Sequence, residues 1–124
     1  MKTGQWLVLA GSFILLLTAL VHGLGYSQVP GALAPSGGNR LSVVAFKALW
    51  LMFSTHLALL SAVFVVASRV REGKWVILVC MLIPASDTVL LFHFVGVFIG
   101  TILLAIATLC FIVGGILIPR ESAA

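Results

Sequence analysis

Residues 75–117 read WVILVCMLIPASDTVLLFHFVGVFIGTILLAIATLCFIVGGIL. The stretch contains no lysine or arginine, and Asp87 is its single acidic residue. One crossing of a bilayer takes about 20 apolar residues, so this length predicts two transmembrane helices. We place the turn between them near Gly96. A break at Pro84 would leave a helix of about ten residues, too short to span, so we predict a kink at Pro84 instead.

Two more apolar runs precede this stretch. A loop rich in Pro and Gly separates them, and a short charged hairpin follows the second run. Such breakers end helices. We therefore predict one domain over residues 1–124, an all-α integral membrane bundle of four transmembrane helices. Their approximate bounds are residues 6–24, 43–68, 75–94 and 97–117.

The first run also allows a second interpretation. Lys2 precedes it, and residues 21–23 offer a cleavage point, as in a secretory signal peptide. The run is nearer in length to a spanning helix than to a signal core. We expect it to be retained, with cleavage as the alternative.

Composition favours a bilayer as the surrounding solvent. Of the 124 residues, 62% are hydrophobic and 8% are charged, which is too little polar surface for a water-soluble globule of this size. The net charge of +4 comes from cations beside apolar runs, so we expect the lipid bilayer as a partner and no nucleic acid. Cys80 and Cys110 lie in apolar runs without a CxxC pair, which argues against a zinc site or thiol oxidoreductase.

The distribution of cations predicts an orientation. Cytoplasmic loops of membrane proteins carry an excess of Lys and Arg. With four crossings, five cations fall on one side and two on the other. We therefore predict both termini in the cytoplasm (N-in/C-in), in a bacterial-type inner membrane. The first side has Lys2, Arg69, Arg71, Lys74 and Arg120, and the second has Arg40 and Lys47.

Small residues recur at helical spacing on the first and last helices. Membrane helices associate through close packing, which favours small residues on the contact face. These stripes predict either packing within the bundle or the seam of a homodimer, and the sequence does not separate the two. They consist of Gly4, Gly11, Thr18 and Gly25 on the first helix, and Gly96, Gly100, Ala107 and Gly114 on the last.

Asp87 is the most informative residue for function. A carboxylate is expensive in hydrocarbon and tends to face a partner or a water-filled cavity. His56, on the antiparallel second helix, comes to about the same depth, so a contact between the two is expected. Such a pair either ties two helices together or forms a ligand or proton site.

Most other polar side chains inside the predicted spans fall in the extracytoplasmic half. This bias predicts a polar pocket that opens on that side under the loop of residues 25–40, although ordinary interfacial polarity is an alternative. The candidate ligand-binding residues are Asp87, His56, His22, His93, Ser86, Thr18 and Thr101.

A haem site is a further alternative. His22 continues the small stripe of the first helix, and His93 lies near the outer end of the third, so the two could approach each other. Paired histidines can ligate haem, but nothing else in the sequence indicates a place for the ring. We therefore predict no cofactor and no metal site, with haem as the exception to test.

The order of these features resembles small four-helix membrane families that are DoxX-like. The resemblance is carried by residues 47–50 (KALW), which open the second helix, and by residues 83–87 (IPASD), which place an acid inside the third. It implies a four-helix bundle and transfers no established activity.

These observations favour a non-enzymatic membrane protein that binds a small or lipidic molecule in an outer pocket around Asp87 and His56. One alternative is an enzyme or redox subunit that uses the same groups as an acid/base pair or holds a cofactor on its histidines. Another is a structural partner subunit of a membrane complex.

Overall fold

The computed structural model describes residues 2–28 and 39–119. In this part of the chain, four helical spans are long and apolar enough to cross a bilayer. The prediction of an all-α bundle of four transmembrane helices is confirmed, and the chain has the architecture of a multi-pass membrane protein. Most of the predicted loop over residues 25–40, together with Arg120, lies outside the described residues. The spans are Thr3–Gln28, Arg40–Ala67, Gly73–Phe94 and Ile99–Leu117.

Five α-helices make up the four spans. They are α1 (Thr3–Leu24), followed by a 3-10 turn at Gly25–Gln28, then α2 (Arg40–Ala67), α3 (Gly73–Cys80), α4 (Leu82–Phe94) and α5 (Ile99–Leu117).

The second span begins earlier than its hydropathy predicts, at Arg40. The side chain of Asn39 accepts a hydrogen bond from the backbone N–H of Ser42 at 2.8 Å and so caps α2. A capped helix can continue through polar residues because its first N–H groups are satisfied. The apolar pattern therefore marks a shorter segment than the helix itself.

The third span is divided into two helices by a one-residue interruption. Its helix breaks at Met81 and resumes as α4 at Leu82, two residues before the buried Pro84. Proline has no N–H for the carbonyl four residues earlier, and its ring crowds that carbonyl. The irregularity therefore lies in the turn before Pro84, as expected of a proline kink. The full turn occurs at Gly96, whose φ of 90° lies in the left-handed region that favours glycine.

The first helix is the centre of the bundle and packs against both α2 and α5. Its contact with α5 is made backbone to backbone: a Cβ on Gly4 would lie 2.7 Å from the carbonyl oxygen of Gly114. A Cβ on Gly11 would lie 3.1 Å from the carbonyl oxygen of Ala107. These small residues are therefore used inside the bundle, and the homodimer prediction would need a different surface.

The core beneath this contact is aromatic and aliphatic. Phe64 of α2 and Phe111 of α5 stack with ring centroids 3.7 Å apart, and both side chains are fully buried. Ser61 adds a hydrogen bond across the helices, from its hydroxyl to the carbonyl oxygen of Ser12 at 2.8 Å. The first, second and fourth spans are thus fixed together in the half of the bundle where α1 begins.

One end of the bundle concentrates the cations, and we call it the basic end. Lys2, Arg69 and Arg71 line one cavity there, where α1 begins and α2 ends. Lys74 lies at the same end, and its Nζ donates to two carbonyl oxygens at the end of α5, at 3.1 and 2.7 Å. Four of the five cations predicted to share one side therefore do share one end.

The opposite end, which we call the loop end, contains the 3-10 turn and the start of α2. Lys47 lies there, with its Nζ 5.1 Å from the centre of the Tyr26 ring. Arg40 begins α2 at the same end and is exposed. The two remaining described cations are thus separated from the basic end by the length of the bundle.

Candidate functional site

The structure brings Asp87 and His56 together. Nε2 of His56 lies 3.5 Å from Oδ2 of Asp87, and the two side chains are 40% and 19% exposed respectively. The distance suits an ion pair but is long for a good hydrogen bond. Oδ2 is buried and has no hydrogen-bond partner among the described residues. One oxygen of the carboxylate is thus left with a single close polar neighbour.

This pair bridges two helices whose backbones stay apart. In the described part of the chain, no Cα atom of α2 comes within 8 Å of a Cα atom of α4. Direct packing is therefore absent here, and only side chains span the gap. We call this side-chain contact between α2 and α4 the brace.

A cavity of about 390 Å³ lies next to the brace, toward the loop end. We call it the aromatic cavity. It is formed by α1, α2, α4, α5 and the turn before α5, and its polar side chains are those of Thr18 and His22. We predicted a polar pocket, and this lining is instead mainly apolar. Its residues are Thr18, His22, Phe46, Leu49, Trp50, Phe53, Leu91, Val95, Phe98, Gly100 and Leu104.

The imidazole of His22 lies between two aromatic rings at the cavity wall. It stacks on Trp50 with centroids 4.0 Å apart and planes 11° apart, and it meets the edge of Phe53 at 5.1 Å. The indole N–H of Trp50 donates to the backbone carbonyl oxygen of His22 at 2.6 Å. The ring of His22 is therefore held by its neighbours, while neither ring nitrogen has a hydrogen bond to another described residue.

Sequence reasoning missed the role of Trp50. Tryptophan in a membrane helix places its indole N–H either at the interface or on an internal acceptor. Trp50 lies inside α2 and not at its end, and this position could have indicated an internal hydrogen-bond acceptor for its indole N–H. The acceptor is His22, and it could be identified only from the structure, because it depends on how α1 is rotated against α2.

The brace lies one helical turn deeper than the cavity. Phe53 lines the cavity, and its ring centre is 6.4 Å from that of His56. Leu91 also lines the cavity and follows Asp87 by four residues, which is one turn of α4. Asp87 and His56 thus lie below the aromatic cavity, toward the basic end, and not in its wall.

The hydroxyl groups of the other candidates bind backbone carbonyls of their own span or turn. Thr18 donates to Ile14 at 2.8 Å, and Ser86 donates to Ile83 at 2.8 Å. Thr101 is buried and donates to the carbonyl of Gly96 at 3.0 Å. Among the described residues, a bias of polar residues toward the loop end therefore does not by itself require a polar pocket. A serine or threonine in a helix can satisfy itself locally.

His93 does not join His22. Leu91 and Val95 face the aromatic cavity, and His93 lies between them in sequence, on the other side of α4. It is exposed, and its ring lies nearly perpendicular to that of Phe94, with the two ring centroids 4.7 Å apart. The structure does not bring the two histidines together, because α4 is rotated so that His93 faces outward. No group of three or more His, Cys, Asp or Glu in residues 2–28 and 39–119 could hold a metal ion.

The arrangement can bind an apolar body and offer it one polar contact. Flat and branched side chains supply the apolar surface, and the fixed imidazole of His22 can donate or accept a hydrogen bond. The resemblance to DoxX-like families stays a prediction. Comparison of the chain with models of known protein families, with curated proteins and with solved structures gave no match.

Proposed function

We propose that this membrane protein binds a small lipidic molecule in the aromatic cavity. Its apolar body would lie against Trp50, Phe53 and Phe98, and its polar end would meet the imidazole of His22. The observation that carries the proposal is the cavity itself, which has a largely apolar lining and one fixed histidine.

The size of the cavity suits such a ligand. Small-molecule pockets measure about 300–1,000 Å³, mostly apolar with a few placed polar groups. At about 390 Å³ the aromatic cavity lies in the lower part of that range. A water-sized group takes about 30 Å³, so the space holds roughly a dozen such groups. This is a short chain or a small ring system, and not a whole phospholipid.

The brace gives the proposal a second polar contact. Asp87 Oδ2 has no hydrogen-bond partner among the described residues, although it is buried. A ligand hydroxyl or amine that reached one turn below the cavity would provide one. Asp87 and His56 therefore remain ligand-binding residues in this proposal, one helical turn below the cavity.

We also infer that the basic end faces the cytoplasm of a bacterial-type inner membrane. The grouping of Lys2, Arg69, Arg71 and Lys74 at one end supports this, since cytoplasmic ends carry the excess of cations. Both termini are then inside, and the aromatic cavity lies in the extracytoplasmic half. A DoxX-like relationship would fit the same architecture.

The test uses Trp50 as the reporter. A Trp6→Phe/Trp75→Phe form leaves Trp50 as the sole tryptophan. Two probes of equal length are titrated into the protein in detergent, a chain-brominated fatty alcohol and a chain-brominated fatty acid. Bromine quenches tryptophan only at short range, so binding in the cavity gives saturable quenching. We expect saturation near one probe per protein.

A matched pair of variants identifies the site. Leu91→Phe fills part of the cavity, whereas Leu90→Phe adds the same ring on a side chain that is 54% exposed. An added ring that crowds the bound probe should cost about 1–3 kcal/mol of binding free energy. Leu91→Phe should therefore raise the dissociation constant of the probe by about five- to 150-fold. Leu90→Phe should change it little. Quenching that rises linearly with probe and is equal in both variants would show partition into the micelle and refute the proposal.

A further inference from the structure

Asp87 is the only carboxylate in the four spans, and its two oxygens have different surroundings. Oδ2 is buried beside the imidazole of His56, 3.5 Å from Nε2. Oδ1 accepts no hydrogen bond from a described residue either, but it is not buried. The side chain as a whole is 19% exposed. Oδ1 is thus the oxygen that an incoming group can reach.

The sequence places no permanent cation close to this carboxylate along the chain. Residues 3–28, 48–68 and 75–117 contain no lysine or arginine. Lys47, the nearest cation to His56 within α2, precedes it by nine residues, which is about 13.5 Å along the helix axis. Its Nζ lies over the ring of Tyr26. The close ionisable neighbour of Asp87 is therefore His56, whose charge is not permanent.

An ammonium group is the partner that this carboxylate lacks. A carboxylate in hydrocarbon is costly unless a cation or a hydrogen-bond donor lies beside it. An ammonium supplies both, whereas an alcohol supplies only the donor and a second carboxylate would add a like charge. Hydrogen bonds between charged groups are also about twice as strong as those between neutral groups. Of the polar groups that a lipidic molecule can carry, an amine therefore gains most from Asp87.

The aromatic cavity suits the rest of such a molecule. Leu91 of its wall lies one turn of α4 above Asp87, which is about 5.4 Å along the axis. Phe53 lines the same cavity, and its ring centre is 6.4 Å from that of His56. The faces of Trp and Phe rings attract cations. A molecule whose apolar body lies in the cavity can thus extend an ammonium past these rings toward the brace.

We propose that the ligand of the aromatic cavity is a lipophilic amine and that its ammonium group binds the carboxylate of Asp87. This inference rests on the proposed function, because the apolar body of the amine would occupy the same cavity. It adds the chemical class of the ligand: a protonated primary amine on an apolar body that fits within about 390 Å³. His22 then meets any second polar group of the ligand.

The test compares three chain-brominated probes of equal length, a fatty amine, a fatty alcohol and a fatty acid. Their dissociation constants are measured by quenching of Trp50 in the Trp6→Phe/Trp75→Phe form. A non-ionic detergent is used at neutral pH, where an alkylamine is protonated. Asp87→Asn replaces the carboxylate by an amide of the same size. Glu72→Gln makes the same change at an exposed residue whose side chain does not cap α3, and it is the matched control.

We expect the amine to bind about tenfold more tightly than the alcohol in the parent, because its hydrogen bond to Asp87 is charge-assisted. The acid should bind most weakly. In Asp87→Asn the amine should lose about tenfold and the alcohol little, so the preference disappears. Glu72→Gln should keep the preference. His56→Gln should keep or increase it, because glutamine cannot carry a positive charge that competes with the ammonium.

Failure of this inference can be told apart from failure of the proposed function. If the alcohol saturates and the amine binds no more tightly, the ligand is not an amine, and the cavity remains a lipidic site. The same holds if the preference survives in Asp87→Asn, or is lost in Glu72→Gln or His56→Gln. If none of the three probes saturates, both proposals are wrong. The comparison in the parent needs no further variant, so it decides the question even if Asp87→Asn does not fold.

Discussion

Replacing Gly11 by alanine is the sharpest test of how this bundle is held together. Gly11 lies at the contact between α1 and α5, and an added Cβ would lie 2.9 Å from Cβ of Cys110 and 2.9 Å from Cε1 of Phe111. Carbon atoms in contact prefer about 3.5–4.0 Å. The methyl group must therefore push its neighbours away by about 0.6 Å or more.

The neighbours of Gly11 have little freedom to move. The Phe111 ring is fully buried and stacked on Phe64, and the third atom near the added Cβ is the backbone oxygen of Ala107, at 3.1 Å. Overpacking of this kind costs about 1–3 kcal/mol in free energy of unfolding. Alanine returns about 1 kcal/mol because it favours the helix more than glycine does. We expect a net loss of about 0–2 kcal/mol.

A control on the same helix removes the propensity term. At Gly23 an added Cβ meets only the side chain of Ser54, at 3.8 Å or more, which is ordinary contact. Gly23→Ala should therefore leave stability unchanged or raise it by up to about 1 kcal/mol. The difference between the two variants isolates the cost of separating α1 from α5, about 1–3 kcal/mol.

The measurement is unfolding by sodium dodecyl sulfate in mixed micelles, followed by far-UV circular dichroism. Both variants and the parent are titrated under the same conditions, and the free energies of unfolding are compared. If Gly11→Ala proves as stable as Gly23→Ala, the close approach of α1 and α5 is not what holds the bundle, and the reasoning fails.

Three other contacts can be tested in the same assay. Asp87→Asn, His56→Ala and the double variant should give a coupling of about 0.5–3 kcal/mol if the brace ties α2 to α4, and a value near zero would exclude the tie. Lys74→Met leaves two carbonyls of α5 without their donor and should cost about 0.5–1.5 kcal/mol, so unchanged stability would contradict this cap. Trp50→Phe keeps a stacking ring but loses its N–H bond and should cost about 0.5–1.5 kcal/mol. Trp6→Phe, at an exposed position, is its control and should cost less than about 0.5 kcal/mol.

The number and order of the spans could be predicted from the sequence because the hydropathy of each stretch depends only on the residues in it. A helix in hydrocarbon needs about 20 apolar residues and must satisfy its own backbone, so long apolar runs have few alternatives. The turn at Gly96 and the irregularity before Pro84 followed from the same requirement. The approach of Asp87 to His56 was also accessible, since depth along a span is counted directly from its ends.

Only the tertiary structure decided which face of each helix meets which neighbour. His93 faces outward, His22 stacks on Trp50, and the cavity that His22 lines is mainly apolar. Lipid and protein core are both apolar, so hydropathy does not set the rotation of a membrane helix about its axis. That rotation depends on which small residues allow two backbones to approach, and at Gly4 and Gly11 this requires the partner surface of α5.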